Sequence, residues 1–443
     1  MESENKTYGL FSLTSMCVGG AIGAGIFALA GIGIGLTGRS APYAMILAVL
    51  LYAFTYIPLL FISSAIPLKG GSYSQSAILL PKILVGVNAI TLVMPFLTIA
   101  MMGISMADYL IALIPVLSKY HTLVSAVLLS VFFLVNMIGD DTVARVQNIL
   151  TIIMLVALGI YIVVGLGNLE PGALSFTSPS FLTGGRAGFF AAVALLSMAG
   201  SGPEAAIQYT QATKNPKRTV PLAMVLSVAV ITVVYFLICL VAGGVLPVEQ
   251  VAGMSLGVSA KAFLPTPLYV FFMIGGAIFA LGTSLNNTIA CIKYPIIEAT
   301  NDGWFPKFMG KTNKRGVPLY LFVLAYIVAM FTILTGISLA NIVNFMLAGA
   351  YILSVLMVCF QFRLPKMFPE EWKKSTFHVP DAVFYVLNAL SLIVSAYFAY
   401  TNLISLTPGL IVGNLVFIVL CFGYSFYRIK AKKIHMEYLQ DMK

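Results

Sequence analysis

Two stretches of this sequence break the rules of the apolar runs that contain them. One reads Gly19-Gly20-Ala21-Ile22-Gly23-Ala24-Gly25-Ile26-Phe27, and the other reads Met198-Ala199-Gly200-Ser201-Gly202-Pro203-Glu204. Glycine costs about 1 kcal/mol per residue in a helix interior and proline about 3 kcal/mol. Pro203 also removes a backbone donor and crowds the preceding turn. In hydrocarbon an unwound backbone survives only where it is buried in protein or lines a cavity. Each stretch therefore predicts peptide groups held free for a ligand. Half-helix N-termini present N–H groups and a positive dipole end to an anion, and unwound carbonyls accept from a cation. An α-amino acid has both charges close together and complements such a site, as do other small zwitterions. The alternative for the first stretch is close helix packing, since Gly19 and Gly23 form a GxxxG spacing. A matching cluster in the second stretch favours a break.

The second stretch ends in Glu204, the one acid that falls at the middle of an apolar span. A carboxylate there costs roughly 2.5–3.5 kcal/mol on insertion scales, so it is a functional candidate by default. The expected role is gating or proton coupling; a structural acid bonded to a neighbouring span is the competing reading. Other chemistries are poorly served. His121, His378 and His435 lie far apart, and no His/Cys/Asp/Glu group has metal-ligand spacing. No nucleophile–base pair falls within a span, so neither an enzyme, a metal site nor a cofactor is expected. The five cysteines, at 17, 239, 291, 359 and 421, read as small apolar core residues.

The elements that position these residues follow from composition. Apolar types make up 60% of the 443 residues and charged types 9%, with a mean hydropathy of +0.99. A soluble chain carries roughly 25% charge, so a water-soluble protein is excluded. The opening MESENK is not a basic leader. Twelve stretches are long enough to cross hydrocarbon. They lie at about 10–36, 41–66, 84–114, 122–139, 143–168, 185–211, 219–246, 267–298, 318–336, 339–362, 380–401 and 404–427. With the N-terminus inside, only Arg39, Lys119, Arg186 and Lys261 of the 25 Lys and Arg fall outside. This asymmetry predicts that both termini are cytoplasmic, in a multi-pass protein of the cell membrane. It also assigns the net charge of +10 to the cytoplasmic leaflet and not to nucleic acid.

Spans 1 and 6 then open two five-span halves, 10–168 and 185–362, of opposite orientation. Interrupted helices at matching places in inverted halves point to the binding site of a secondary transporter. Spans 11 and 12 (380–427), a short N-terminus (1–9) and a basic tail (428–443) lie outside this repeat. Asp140-Asp141 is expected to cap span 5, and Arg428 to Lys433 to meet anionic lipid.

Five motifs in order resemble the amino acid–polyamine–organocation permeases. Gly23-Ala24-Gly25-Ile26-Phe27 is similar to that family's GSGIF, with Ala24 in place of Ser. Pro67-Leu68-Lys69-Gly70-Gly71-Ser72-Tyr73 resembles the motif after span 2, and Asn136-Met137-Ile138-Gly139 with Arg145 and Gln147 that between spans 4 and 5. Asn215-Pro216-Lys217-Arg218-Thr219-Val220-Pro221 resembles the loop after span 6, and Asn301-Asp302-Gly303-Trp304-Phe305-Pro306 the end of span 8.

The resemblance implies an all-α integral membrane fold of twelve helices. It is the five-plus-five inverted repeat of the leucine-transporter type, with helices 1 and 6 unwound at mid-membrane. It implies that backbone N–H groups of Gly23, Ala24 and Gly25 take a carboxylate, and that carbonyls of Ala21, Met198 and Ser201 take an amino group. Ile22, Ala199 and Gly202 complete the two breaks. The missing Ser hydroxyl at Ala24 removes one donor, worth roughly 0.5–1.5 kcal/mol. Glu204 falls where basic amino acid and polyamine antiporters of the family keep a Glu. Met198 and Thr288 fall where a guanidinium-binding member has two Trp, and Met101 and Met102 are placed on the same wall, so the pocket is expected to be small and adaptable. Met154 falls where proton-coupled relatives keep a Lys. Thr283, Ser284, Asn286 and Asn287 are read as packing or capping residues before sodium ligands.

The resulting expectation is an exchanger of a small neutral L-amino acid working by alternating access, as monomer or homodimer. A basic amino acid or polyamine antiporter, or a proton-coupled symporter, is the alternative. A substrate-sensing receptor, or a channel, for which no filter motif is present, is less favoured.

Overall fold

The structure is a computed structural model. It describes residues 7–335, 339–404, 406–431 and 434–436, with Ala24, Ala28 and 339–348 described by backbone alone. The expectations placed on residues 1–6, Lys432, Lys433 and 437–443 lie outside the described residues. Among the described residues the fold is all-helical; the only extended pairing is an isolated parallel bridge between Tyr8 and Thr213. Among the described residues nine helical stretches are long and apolar enough to cross a membrane, and Leu10–Ala21, Leu319–Thr335 and Gly349–Gln361 are shorter apolar helices. One of the nine, Gly25–Phe54, joins the end of span 1 to span 2 through a 3-10 turn at Gly38–Ser40.

Several helices bend where their residues predict it. The second span divides into Ala41–Phe54 and Ile57–Ala65, with Pro58 in the first turn of the latter. The third divides into Lys82–Thr91 and Pro95–Leu113. The eighth carries a π-helical turn, Phe272–Ile278, around Gly275 and Gly276. Such turns widen the helix and leave the i→i−4 ladder locally unmade.

The two ends of the bundle are closed by polar contacts. At one end Lys293 Nζ donates to Asp140 at 2.8 Å, Tyr294 also donates to Asp140, and Thr7 Oγ1 donates to Asp141 at 2.8 Å. The expected cap of span 5 is thereby corrected. Gly139, at φ 139°, is the N-cap of the Asp140–Leu166 helix, and both acids reach away to other elements. Nearby, Tyr73 donates to Asp302 at 2.5 Å, Arg428 donates to the Gly303 carbonyl, and the His435 N–H to the Asp302 carbonyl at 3.0 Å. Ile434 and Met436 are buried, so the chain folds onto protein just beyond the Arg428–Lys433 stretch for which lipid contact is expected. At the opposite end buried Arg39 pairs with Glu170 and donates to the Gly243 carbonyl at 3.2 Å.

All five cysteines are free. Cys17, Cys239 and Cys421 are buried as expected, whereas Cys291 is half-buried and Cys359 exposed. Exposed large hydrophobics run along the outer helices, as on Ile393, Val419 and Leu420; a membrane-embedded surface must be of this kind.

Candidate substrate site

The first break is narrow. The Leu10–Ala21 helix ends at Ile22 (φ −78°, ψ 71°), whose N–H still reaches the Val18 carbonyl at 2.8 Å. Gly23 (φ −100°, ψ −162°) donates to the Ala21 carbonyl at 2.9 Å, and the Ala24–Thr37 helix starts at the next residue. No side chain caps that helix. Its leading N–H groups therefore keep the unsatisfied character of any helix start.

The carbonyls on the other side of the break are occupied. Ser15 accepts from Gln147 Nε2 and Thr151 Oγ1, both at 3.3 Å. Gly19 accepts from Thr283 at 2.9 Å and Ser284 at 3.1 Å, and Gly20 accepts from Ser284 at 3.3 Å. Ala21 accepts from the Tyr235 hydroxyl at 2.8 Å as well as from Gly23. The glycines make these contacts possible. A Cβ on Gly19 would fall 2.8 Å from Thr283 Cβ, and one on Gly23 would fall 2.7 Å from Ser284 Oγ. Close packing and helix interruption, opposed as alternatives in the sequence, are the same feature here. Behind them a buried amide chain runs from Asn136 through Asn286 (3.0 Å) to Gln147 (2.8 Å). Met154 is buried with its sulfur 4.0 Å from Thr283 Oγ1, so an apolar group fills the span 5 position.

The second break is wider. The Gly185–Leu196 helix gives way to a 3-10 turn at Ser197–Gly200, and Ser201 is extended (φ −73°, ψ 151°). Gly202 follows at φ 130°, a region open in practice to glycine alone. From Pro203 to Ala212 the chain is 3-10 helix. Glu204 folds back on this break, and its Oε2 accepts the Gly202 N–H at 2.7 Å. The competing reading of Glu204 as a structural acid acquires a definite form: its partner is its own backbone, not a neighbouring span. Tyr56 donates to the Gly200 carbonyl.

The two breaks touch. A Cβ on Gly202 would lie 2.7 Å from the Ala21 nitrogen and 2.8 Å from its Cα. Beside this crossing is a cavity of ≈ 580 Å³, the size of a small-molecule pocket. Ser201, Glu204 and Thr288 line it, facing Tyr52, Tyr56 and Tyr351. Among the described residues, Glu204 is the one charged side chain in the lining. Met102 lies just behind Thr288, whose hydroxyl is 3.5 Å from its sulfur. Ala21, Ile22, Gly23, Gly25, Met198, Ala199 and Gly202 are not in the lining; Ile22 and Ala199 are buried, and Met198 is 44% exposed away from this cavity. The residues that sequence reasoning missed are the three tyrosines, Tyr235 and Thr151. A lone hydroxyl inside an apolar run was the available signal for Tyr235 and Thr151, since such a group in hydrocarbon needs a partner.

The amino acid permease family model matches residues 8–427, all of both breaks included. The chain belongs to the amino acid permease family. The permease is 27% identical over 350 residues to a cadaverine/lysine antiporter of Escherichia coli, covering 76% of this chain and 77% of the relative. It is 23% identical over 334 residues to a branched-chain amino acid permease of Bacillus subtilis, 71% of each. An uncharacterized protein of Methanocaldococcus jannaschii is 28% identical over 322 residues, 70% of this chain and 72% of that one. The two named relatives are an antiporter and a permease, and this chain belongs with them to a family of transporters.

Proposed function

We propose that this permease is a secondary transporter that exchanges a small neutral L-amino acid by alternating access. The observation that carries the reading is the contact between two interrupted helices, Gly202 against Ala21, beside a cavity holding one carboxylate. Nine long and three short apolar helices are consistent with twelve crossings. In this reading residues 10–168 and 185–362 form the inverted halves, 380–427 flank them, both termini are cytoplasmic, and the protein works in the cell membrane as monomer or homodimer. The Ala24–Thr37 N-terminus receives the carboxylate through Gly23, Ala24 and Gly25. Ser201 and Glu204 face the amino group. Ala21 has little capacity left, because Tyr235 and Gly23 already use its carbonyl.

A second reading has its own support. Glu204 is the one charged group of the lining, and a relative is named for cadaverine and lysine. A cationic amino acid or amine would complement that charge.

Counterflow in proteoliposomes separates the two. Vesicles preloaded with alanine, valine or leucine are expected to accelerate uptake of the same labelled amino acids. Acceleration by lysine and cadaverine alone would move the assignment to the second reading. Uptake indifferent to internal substrate would overturn exchange, and no flux with any of the five would overturn transport.

A further inference from the structure

The helix Asp381–Ile404 lies outside the two proposed repeats, yet it carries an unusual polar stripe. Asn388, Ser391 and Ser395 are 0, 0 and 1% exposed. At 3.6 residues per turn and 1.5 Å per residue, they fall within about 60° of one face and ~10 Å of its length. Among the described residues, Asn388 Oδ1, Ser391 Oγ and Ser395 Oγ have no hydrogen-bond partner. Gln361 Oε1, at the end of the adjacent Leu339–Gln361 helix, has none either. Its Nε2 donates to the Pro58 carbonyl at 3.1 Å and so ties the stripe to a third helix, Ile57–Ala65. The helix packs against both of those neighbours.

Several helical hydroxyls elsewhere in this chain bond back to their own turn. Ser227 does so at 2.6 Å, Ser130 at 2.6 Å and Thr232 at 2.7 Å. Ser391 and Ser395 depart from that habit. Four unmatched polar atoms in one seam are not tolerated in a dry interior, whereas bound water satisfies such groups routinely. The seam has two definite ends. Ser395 lines the cavity that holds Glu204, Tyr52 and Tyr351. Asn388 lies one turn beyond Phe384, which packs on Phe61 and Trp372 with ring centroids 5.3 and 4.9 Å away. A polar file that leads to an intramembrane carboxylate is the arrangement of a proton relay.

We propose that Ser395, Ser391, Asn388 and Gln361 hold a file of water molecules that runs off the cavity wall and carries protons between Glu204 and the Trp372 end of the bundle. The proposal rests on the transport reading for its purpose, and on the orphaned atoms for the water. The titratable groups that face Glu204 are Cys17, Tyr52, Tyr56, Cys291 and Tyr351, from four different spans. None is a lysine, arginine or histidine, so Glu204 is the acceptor at which the file ends.

Two measurements on the full chain test this. In proteoliposomes with an internal pH dye, N388L/S391A is expected to keep counterflow at equal pH within twofold of wild type. Its proton movement on substrate addition should fall at least tenfold. Proton movement within twofold of wild type, or a wild type that moves none, would overturn the route. The second measurement needs no transport. If the seam were dry, S391A would remove an unpaired buried hydroxyl and raise the thermal midpoint by several degrees. A filled seam predicts a midpoint unchanged or lowered, and a clear rise would sink the water file. Wild-type counterflow failing with every substrate would remove the transport reading, while the unfolding result would still judge the water.

Discussion

The two interrupted helices reach a similar outcome by different means. At the first, two residues leave the helix, and every carbonyl on its N-terminal side from Gly19 to Ala21 is held by a side chain of another span. At the second, the local backbone makes the break: Gly202 at φ 130°, Pro203 behind it, a 3-10 helix after that, and Glu204 bonded back to the break. The first break is a joint clamped from outside. The second carries its own restraint and faces the cavity. In the alternating-access reading proposed above, the first break is the element anchored to the scaffold and the second is the one that responds to what enters the pocket.

That contrast can be broken most decisively at Gly202. Gly202→Ala places a side chain in a positive-φ conformation, which costs of order 1–3 kcal/mol, and drives its Cβ into the Ala21 backbone. Counterflow should be abolished and the thermal midpoint in detergent should drop. Near-normal exchange would show that the breaks do not depend on their contact. Gly159→Ala, in the Asp140–Leu166 helix, is the control, because no described atom lies within 4 Å of where its Cβ would stand; its effect should stay within twofold.

Glu204→Gln comes next. The amide oxygen still accepts the Gly202 N–H, so the fold should hold, while charge and proton exchange are lost. Exchange is expected to fall about tenfold and to lose its pH dependence. An unaltered rate and pH profile would reduce Glu204 to a structural cap. A smaller loss is expected at the clamp. Tyr235→Phe removes one donor from the Ala21 carbonyl, about 0.5–1.5 kcal/mol, seen as a lower midpoint with counterflow reduced no more than severalfold. Ser284→Ala should be milder still, since Thr283 continues to hold Gly19. If Ser284→Ala instead exceeds Glu204→Gln, the first break and not the second is the responsive element.

Much of this was legible before any coordinates. Helix interruption is a local matter, so Gly19–Gly25 and Gly200–Pro203 announced themselves by residue type. Less legible was which peptide groups stay available. Ala21 and Ser201 looked alike as unwound carbonyl positions. Tyr235, far along the chain, takes the first, while Ser201 opens on the cavity. Met198 was placed on the wall by its position in a motif, and a 3-10 turn at Ser197–Gly200 carries it off the cavity.

Composition and residue type alone therefore determined that the chain is a multi-pass membrane protein and where its helices fail. These are properties of single residues and their near neighbours, governed by hydrocarbon burial and backbone propensity. Tertiary structure decided that the breaks touch, that three tyrosines face Glu204, and that a seam of unpaired polar atoms leads away from it. Those facts depend on which distant segment supplies each hydrogen-bond partner, and no period or motif within a segment encodes that choice.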